Sequence, residues 1–310
     1  MTDPLTDGPV RLDQGRRPSP RGLMLRRFLR SPSGLIGGLL VLVVGTTALL
    51  ADIIAPGDPL ASAGPSLRSP SGGHLMGTDN FGRDLLRAVV HGTRTSMTVV
   101  VWVVVMSLVI GLAVGMLSGY RGGVLDAVLM RVTEMFQSIP RFFLAILVVG
   151  LFGSGLDNLI LLLGLTSWDL LARVVRAESL SLRRREFVDA ARSMGASDGR
   201  ILVRHILPNI LPSAVVVASL LGSRVILIEA ALSFIGLGDP NSISLGSLLD
   251  NAQQFLAVAW WMSVFPGLAI AVAVLGLNLL GDAVNDLLHP TGMSRPRPRR
   301  AQRTVGAAAK

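Results

Sequence analysis

The sequence predicts an all-α polytopic membrane protein with six transmembrane helices. Half of its 310 residues are apolar, only 16% are charged, and the mean hydropathy is +0.58, whereas a soluble domain carries about a quarter charged residues. The apolar residues also come in long runs, and Met97 to Leu117 contains no charged residue. Because a helix needs about 20 such residues to cross ~30 Å of hydrocarbon, these runs are long enough to span a membrane.

Six segments have the length and hydropathy of spans. They are residues 35–54, 97–117, 124–152, 156–173, 210–235 and 257–283. The first could pass for a signal peptide, but it is too long and further spans follow, so we expect a retained helix. Asp157 and Asp169 near the ends of the fourth make it the weakest of the six. Since proline removes a helical hydrogen bond, we expect Pro140 to kink one long third helix and Pro266 to bend the sixth.

The distribution of arginine predicts the orientation. Arginines are dense before the first span, between the fourth and fifth, and after the sixth, whereas 235–257 has none. Positive residues remain in the cytoplasm, so we expect both termini there. This divides the chain into a basic segment at 1–34, a first helix with an extracytoplasmic loop at 35–95, a five-helix core at 96–285 with a cytoplasmic insert at about 183–209, and a basic tail at 286–310.

The extracytoplasmic loop ends in an amphipathic stretch. Its apolar stripe consists of Leu85, Leu86, Val89 and Val90. One interpretation is a helix that lies flat in the outer membrane interface. The other is a loop helix packed on the bundle, and the pattern is consistent with both.

The cytoplasmic insert begins with a short amphipathic helix. Phe187, Ala190, Ala191 and Met194 recur at i, i+3, i+4 and i+7, which places them on one helical face. Gly195 follows, where a helix end favours a left-handed residue. Small alanines on an apolar face suit docking into a protein groove, and the alternative is a helix that rests on lipid headgroups.

A second helix follows in the insert. Ser197 or Asp198 can cap it, and we expect Pro208 and Pro212 to end it and set the angle of the fifth span. Together the two helices form a helix–turn–helix elbow that stands out of the membrane.

The elbow resembles a known motif. "DAARSMG", nine residues and "HILP" are similar to the EAA loop of ABC importer permeases, with Asp189 in place of Glu and His205 where Ile is usual. With "MGTDNFGRDLL" and "EAALSFIGLG", the chain resembles, over about residues 25–290, the second permease of dipeptide, oligopeptide and nickel importers. The positions that match the motif are Ala190, Ala191, Gly195, Leu207 and Pro208.

The resemblance implies a type I ABC importer permease fold in a bacterial plasma membrane. It implies four kinds of partner: a second homologous permease that completes the pore, two cytoplasmic ATPase subunits or domains that bind ATP and Mg, a solute-binding protein outside, and the lipid bilayer. The elbow is then the coupling helix, and the resemblance assigns the ATPase contact to Asp189, Ala190, Ala191 and Gly195, with Leu207 and Pro208 holding the elbow to the fifth span. We add Glu186 as a charge contact.

The residues themselves exclude several activities. A P-loop requires Gly-x4-Gly-Lys-Ser/Thr, and the only lysine is Lys310, so ATP hydrolysis must come from another polypeptide. The chain has no cysteine and its four histidines are scattered, which disfavours a metal site. "GLGD" at 236–239 lacks the paired aspartate of intramembrane proteases. We expect no catalytic residue, no cofactor bound by this chain and no nucleic-acid partner.

Three intramembrane charges are candidates for a translocation path: Arg224, Glu229 and Glu134. Arg224 lies roughly 18 Å into the fifth span, where a charge is costly unless it faces water or a partner. It either receives a substrate carboxylate or forms an ion pair with Glu134, Asp126 or a partner chain. Glu229 is expected nearer the outer interface, where it snorkels or contacts an outer partner.

Two other functional classes remain. A self-sufficient secondary transporter or channel would place paired ionisable groups or broken helices at the midplane, and an assembly subunit would have no path at all. Among substrates the resemblance favours dipeptides or short oligopeptides, with nickel, glutathione and heme carried by related systems. Gly111, Gly115 and Gly119 form a face for close helix packing.

Overall fold

The computed structural model describes residues 31–288, which form a helical bundle. Its elements are α1 (Pro32–Leu49), α2 (Ala51–Ile54), α3 (Leu85–Arg121), α4 (Gly123–Ser138), α5 (Arg141–Phe152), α6 (Leu156–Thr166), α7 (Asp169–Leu182), α8 (Glu186–Ser193), α9 (Asp198–Ile201), a π turn (Leu202–Ile206), α10 (Leu207–Phe234), α11 (Leu245–Ala252), a 3-10 turn (Gln253–Phe255) and α12 (Trp261–Leu288). Most of the predicted basic N-terminal segment and tail lies outside the described residues.

The structure confirms the all-α fold class. Within residues 31–288, five helical stretches are long and apolar enough to cross a membrane: Pro32–Leu49, Leu85–Arg121, Leu156–Leu182, Asp198–Phe234 and Trp261–Leu287. The count reaches the predicted six when the bent pair α4 and α5 is taken as one span.

The third span is broken at Pro140, so the prediction of one long kinked helix is wrong. Helices α4 and α5 meet at an angle of 80°. Ile139, which precedes the proline, has extended backbone angles, as does Pro140 itself. Proline disfavours the helical conformation of the residue before it, and two consecutive non-helical residues allow the chain to change direction.

Helix α3 begins earlier than predicted and runs without interruption for 37 residues. Asp84 caps it by accepting a hydrogen bond of 3.1 Å from the backbone N–H of Arg87. Leu85 and Val89 are buried in one cluster with residues of α11 and α12, and Val90 is buried against the end of α2. The interpretation of this stretch as a separate helix lying flat in the membrane interface is therefore wrong. Its apolar stripe packs on protein and forms the first turns of the second span.

Helix α3 packs on α7 through the predicted glycine face. A Cβ atom on Gly115 would lie 2.5 Å from the carbonyl oxygen of Ala172, and one on Gly119 would lie 2.5 Å from that of Arg176. The two backbones therefore approach so closely that no side chain fits between them at these positions. This confirms the predicted small-residue face.

The end of the bundle opposite the elbow is closed by α11, which was not predicted. Its start carries a capping box between Ser244 and Ser247, and Leu245 and Ala252 are fully buried. The loop between α2 and α3 is attached at the same end, because the indole Nε1 of Trp261 donates a hydrogen bond of 3.1 Å to the carbonyl oxygen of Thr78.

Replacement of Gly115 by alanine should destabilise the bundle by about 1–3 kcal/mol, because the new methyl group forces α3 and α7 apart. The measurement is the thermal unfolding midpoint of the purified protein in detergent. Gly150→Ala on α5 is the control, since a Cβ there meets nothing within 4 Å, and it should be neutral or slightly stabilising. Equal midpoints for the two variants would contradict the packing assignment.

Candidate functional site

The predicted elbow is present and consists of α8, a turn and α9. Gly195 in the turn has a φ of +80°, the left-handed conformation that was expected after the first helix. The turn is closed by backbone hydrogen bonds of 3.0 Å from Met194 to Ala190 and from Ala196 to Ala191. These two bonds satisfy carbonyl groups that the end of a helix otherwise leaves unpaired.

One face of α8 belongs to the core of the chain. Val188 is fully buried and Ala191 is only 2% exposed, in a cluster with Ile201, Ile206 and Ile210. The prediction that Ala191 is presented to a partner is therefore wrong in this conformation. The apolar stripe of α8 therefore has two edges. The second helix of the elbow covers the edge that contains Val188 and Ala191, and the other edge stays exposed.

The exposed edge of α8 consists of Phe187, Ala190 and Met194, and Met194 is 80% exposed. Glu186 and Asp189 are also exposed. Asp189 lies 3.5 Å from the guanidinium of Arg192, at the surface, where such a pair contributes little to stability. The elbow therefore presents a small apolar patch beside two carboxylates.

The elbow is fixed to the end of α3 by Tyr120. The Tyr120 hydroxyl donates a hydrogen bond of 2.8 Å to the carboxylate of Asp198. The guanidinium of Arg192 stacks over the Tyr120 ring at 5.3 Å from its centroid. Both helices of the elbow thus contact the same tyrosine.

The second helix of the elbow does not end at the prolines, so that prediction is wrong. The helical path continues from Asp198 to Phe234, and a π turn precedes Pro208, in which the backbone N–H of Leu207 donates to the carbonyl of Leu202. A π turn rearranges the hydrogen-bond ladder locally, which accommodates the missing N–H of proline without a break. Leu207 is half-buried at this junction and Pro208 is exposed.

The two carboxylates predicted as partners of Arg224 pair elsewhere. Asp126 accepts two hydrogen bonds, of 2.5 and 2.6 Å, from Arg176, and Glu134 lies 3.3 Å from Arg131 at the surface. Arg224 is exposed, and no carboxylate among residues 31–288 lies within 4.0 Å of its guanidinium.

A charged cluster that the sequence interpretation missed forms part of the wall of a cavity of about 70 Å³, and leucine and valine side chains form the rest. Arg224 lines this cavity together with Arg141, Ser167 and Asp169. The Asp169 carboxylate lies 3.0 Å from Arg141 and 3.6 Å from Arg173. In the sequence, the sign of this cluster is that Arg141 and Asp169 each stand at the end of an apolar run. Only the fold shows that these two ends meet.

Glu229 is not an interfacial side chain, so the prediction that it snorkels or contacts an outer partner is wrong. It is 1% exposed and accepts hydrogen bonds of 2.8 Å from Ser96 and 2.9 Å from Ser233. Ser96 in turn accepts a hydrogen bond of 3.3 Å from the backbone N–H of Leu245. Because α3 and α11 cover this end of α10, Glu229 joins three helices and does not line a path in this conformation.

Comparison with known proteins identifies what the chain is similar to. The family described as "Binding-protein-dependent transport system inner membrane component" matches residues 111–291. The oligopeptide transport system permease protein OppC of Escherichia coli K12 is 40% identical over 272 residues, 86% of this chain and 89% of OppC. The dipeptide transport system permease protein DppC of Alkalihalophilus pseudofirmus is 34% identical over 296 residues, 94% and 96% of the two chains.

The fold is similar to a solved structure as well. A chain of the MetNI methionine ABC transporter, in an inward facing conformation, superposes with a TM-score of 0.54 at 21% identity, over 66% of this chain and 97% of that chain. At this identity the similarity concerns the fold.

Gly195→Ala should loosen the elbow, because the left-handed conformation costs a residue with a Cβ about 1–2 kcal/mol. The rate of limited trypsin cleavage within the elbow should rise about fivefold to thirtyfold, because a strain of about 1–2 kcal/mol raises the population of the open elbow by that factor. Gly199→Ala, where a Cβ meets nothing within 4 Å and the backbone is right-handed, should leave the rate unchanged. An unchanged rate in the Gly195 variant would contradict the assigned turn geometry.

Proposed function

The chain belongs to the family of binding-protein-dependent transport system inner membrane components, the permease subunits of ABC importers, and we propose that with a second, homologous permease it forms the path for short peptides. It is not an enzyme, because in this family ATP hydrolysis belongs to separate ATPase subunits. The proposed substrate class follows from relatives named as oligopeptide and dipeptide permeases. A solute-binding protein outside the membrane delivers the peptide and sets specificity.

The elbow is the proposed contact with the ATPases, and the observation that carries this role is its exposed patch. Phe187, Ala190 and Met194 present apolar surface on a helix whose other face is held in the core. Glu186 and Asp189 beside the patch supply charge contacts to a groove on the ATPase. Ala191 supports this helix from within and does not itself make the contact.

This role places the elbow and both termini in the cytoplasm, in agreement with the distribution of arginine. ATP and Mg bind to the two ATPases. Closure of the ATPases around ATP stabilises one arrangement of the permeases, and hydrolysis releases it, so that the path opens to each side in turn.

A secondary transporter is the second candidate, because the structure shows two features of that class. The third span is broken at 80°, and Arg141 and Asp169 form an ion pair close to the break. Such a protein works without ATPases. Family membership favours the importer, and dependence of transport on ATP distinguishes the two.

Ala190→Glu should release the ATPases from the complex, because it places a charge at the centre of the apolar patch. The measurement is purification of the tagged protein from its native membrane in mild detergent, with partners identified by mass spectrometry. We expect the wild-type chain to retain a second permease and P-loop ATPases, and the variant to retain the permease with ATPase recovery reduced at least tenfold.

Ser181→Glu is the matched control, since Ser181 is exposed on the last turn of α7 and lies outside the patch. It adds the same charge nearby and should leave ATPase recovery unchanged. A wild-type chain that is recovered without ATPases would contradict the proposed function, and equal ATPase loss in the two variants would contradict the assigned patch.

Peptide uptake should depend on ATP. Proteoliposomes that contain the two permeases and ATPases, with the binding protein supplied outside, should accumulate labelled trialanine only when ATP is enclosed. Accumulation driven by a proton or sodium gradient without ATP would favour the secondary transporter.

A further inference from the structure

We infer that the cluster around Asp169 is a carboxylate-binding site in the translocation path, so that the substrates of this permease carry a free carboxylate. This inference rests on the proposed function and deepens it, because it names the chemical group that the path recognises. The site consists of Arg141, Ser167, Asp169 and Arg224, which line one cavity, with Arg173 beside it.

The charge of the cluster is unbalanced. Asp169 pairs with Arg141 at 3.0 Å and with Arg173 at 3.6 Å. Arg224 lines the same cavity, and no carboxylate among residues 31–288 lies within 4.0 Å of it, so three guanidinium groups share one carboxylate in this region. An unpaired charge within a membrane is costly. A ligand carboxylate would neutralise the excess positive charge and accept charge-assisted hydrogen bonds from Arg224.

Two buried polar atoms of the cluster also lack hydrogen-bond partners among the described residues. Ser167 is 2% exposed and lines the cavity, and its hydroxyl has no hydrogen-bond partner among the described residues. The Nε of Arg173 is likewise buried and unpartnered there. Because buried polar groups are nearly always hydrogen-bonded, the orphaned Ser167 hydroxyl in the cavity wall indicates a ligand that accepts hydrogen bonds. The second orphaned donor belongs to an arginine that pairs with Asp169, which lines the same cavity.

The backbone around the cluster also favours an anionic ligand. Arg141 is the first residue of α5 and Asp169 the first residue of α7, so both helices begin at the cluster, and neither N-terminus has a side-chain cap. Helix N-termini carry partial positive charge and free N–H groups, which favour anions. A cavity of about 70 Å³ is about twice the volume that one water molecule occupies in the liquid, which suits a carboxylate group.

The cluster lies far from the elbow end of the bundle, at a depth that suits a translocation path. Asp169 lies roughly 20 Å, and Arg224 roughly 26 Å, from the elbow ends of α7 and α10 at 1.5 Å per residue. The break at Pro140 lies beside the cluster, and non-helical backbone at this depth is tolerated where it is covered by protein or lines a water-filled cavity. The rest of a peptide can therefore lie along the exposed face that carries Arg224.

The test is equilibrium binding of labelled trialanine to the detergent-purified complex of two permeases and ATPases. The binding protein is omitted so that its own specificity does not enter. Unlabelled trialanine should displace the label, and trialanine amide, which lacks the carboxylate, should do so at least tenfold more weakly. Arg224→Gln should weaken trialanine binding at least tenfold, and Arg224→Lys should restore part of it.

Ser167→Ala is the second variant, because its hydroxyl has no partner whose loss could unfold the protein. It should weaken binding about threefold. Arg131→Gln is the control, since this arginine is exposed on α4 and pairs only with Glu134 among the described residues, and it should bind as the wild type does.

Three results would overturn the inference. One is equal competition by the amide, and another is unchanged affinity in Arg224→Gln. The third is loss of the second permease from the Arg224→Gln complex, which would show that Arg224 forms an ion pair between subunits. Absence of ATPases from the wild-type complex would contradict the proposed function alone, because carboxylate selectivity of the isolated permeases would still report the site.

Discussion

The close approach of α3 and α7 is the constraint on which the rest of the structure depends. Helix α3 runs for 37 residues, and its glycine face brings its backbone against the carbonyl groups of α7 at Ala172 and Arg176. In hydrocarbon there is no hydrophobic driving force between helices, so this contact rests on dispersion and fit. It fixes α7, whose first residue is Asp169 and whose last turn leads into the elbow. The charged cluster and the elbow are therefore two ends of one anchored helix.

The packing of the elbow agrees with the proposed coupling role. Val188 and Ala191 on α8 share a buried cluster with Ile201 and Ile210 on the path into α10, and with Val175 on α7. Each large apolar side chain in such a cluster contributes about 1.5–3 kcal/mol by its burial, so separating α8 from the cluster is costly. Under the proposed function, an ATPase that displaces the exposed edge of α8 would displace α7 and α10 as well, and these helices carry Asp169 and Arg224.

The sequence was sufficient for features that depend on local chemistry and insufficient for those that depend on neighbours. Hydropathy located the spans, and the left-handed turn at Gly195 followed from the residue type, since only glycine adopts that conformation without cost. The burial of Ala191 and Glu229 could not be predicted, because periodicity shows which residues share a face but not what covers it. The size of the angle at Pro140 depends on what α4 and α5 pack against. The ion pair between Arg141 and Asp169 likewise depends on how two helices 28 residues apart meet.

The buried polar groups within the bundle fall into two classes: those whose hydrogen bonds are all made within the chain, and those that lack partners among the described residues. Glu229 is surrounded by hydroxyl donors, and Asp126 has both oxygens bonded to Arg176, so each ties helices together and has nothing left to offer a ligand. The cluster at Asp169 also contains one carboxylate, but it has an excess of donors, with Ser167 unpartnered and Arg224 exposed. Stability alone favours complete pairing, because an orphaned buried donor costs about 1–3 kcal/mol. The cluster retains this cost beside the break at Pro140, at the end of α7 opposite the elbow. A ligand carboxylate that arrives and leaves during transport, as inferred above, would explain why the cost is retained there.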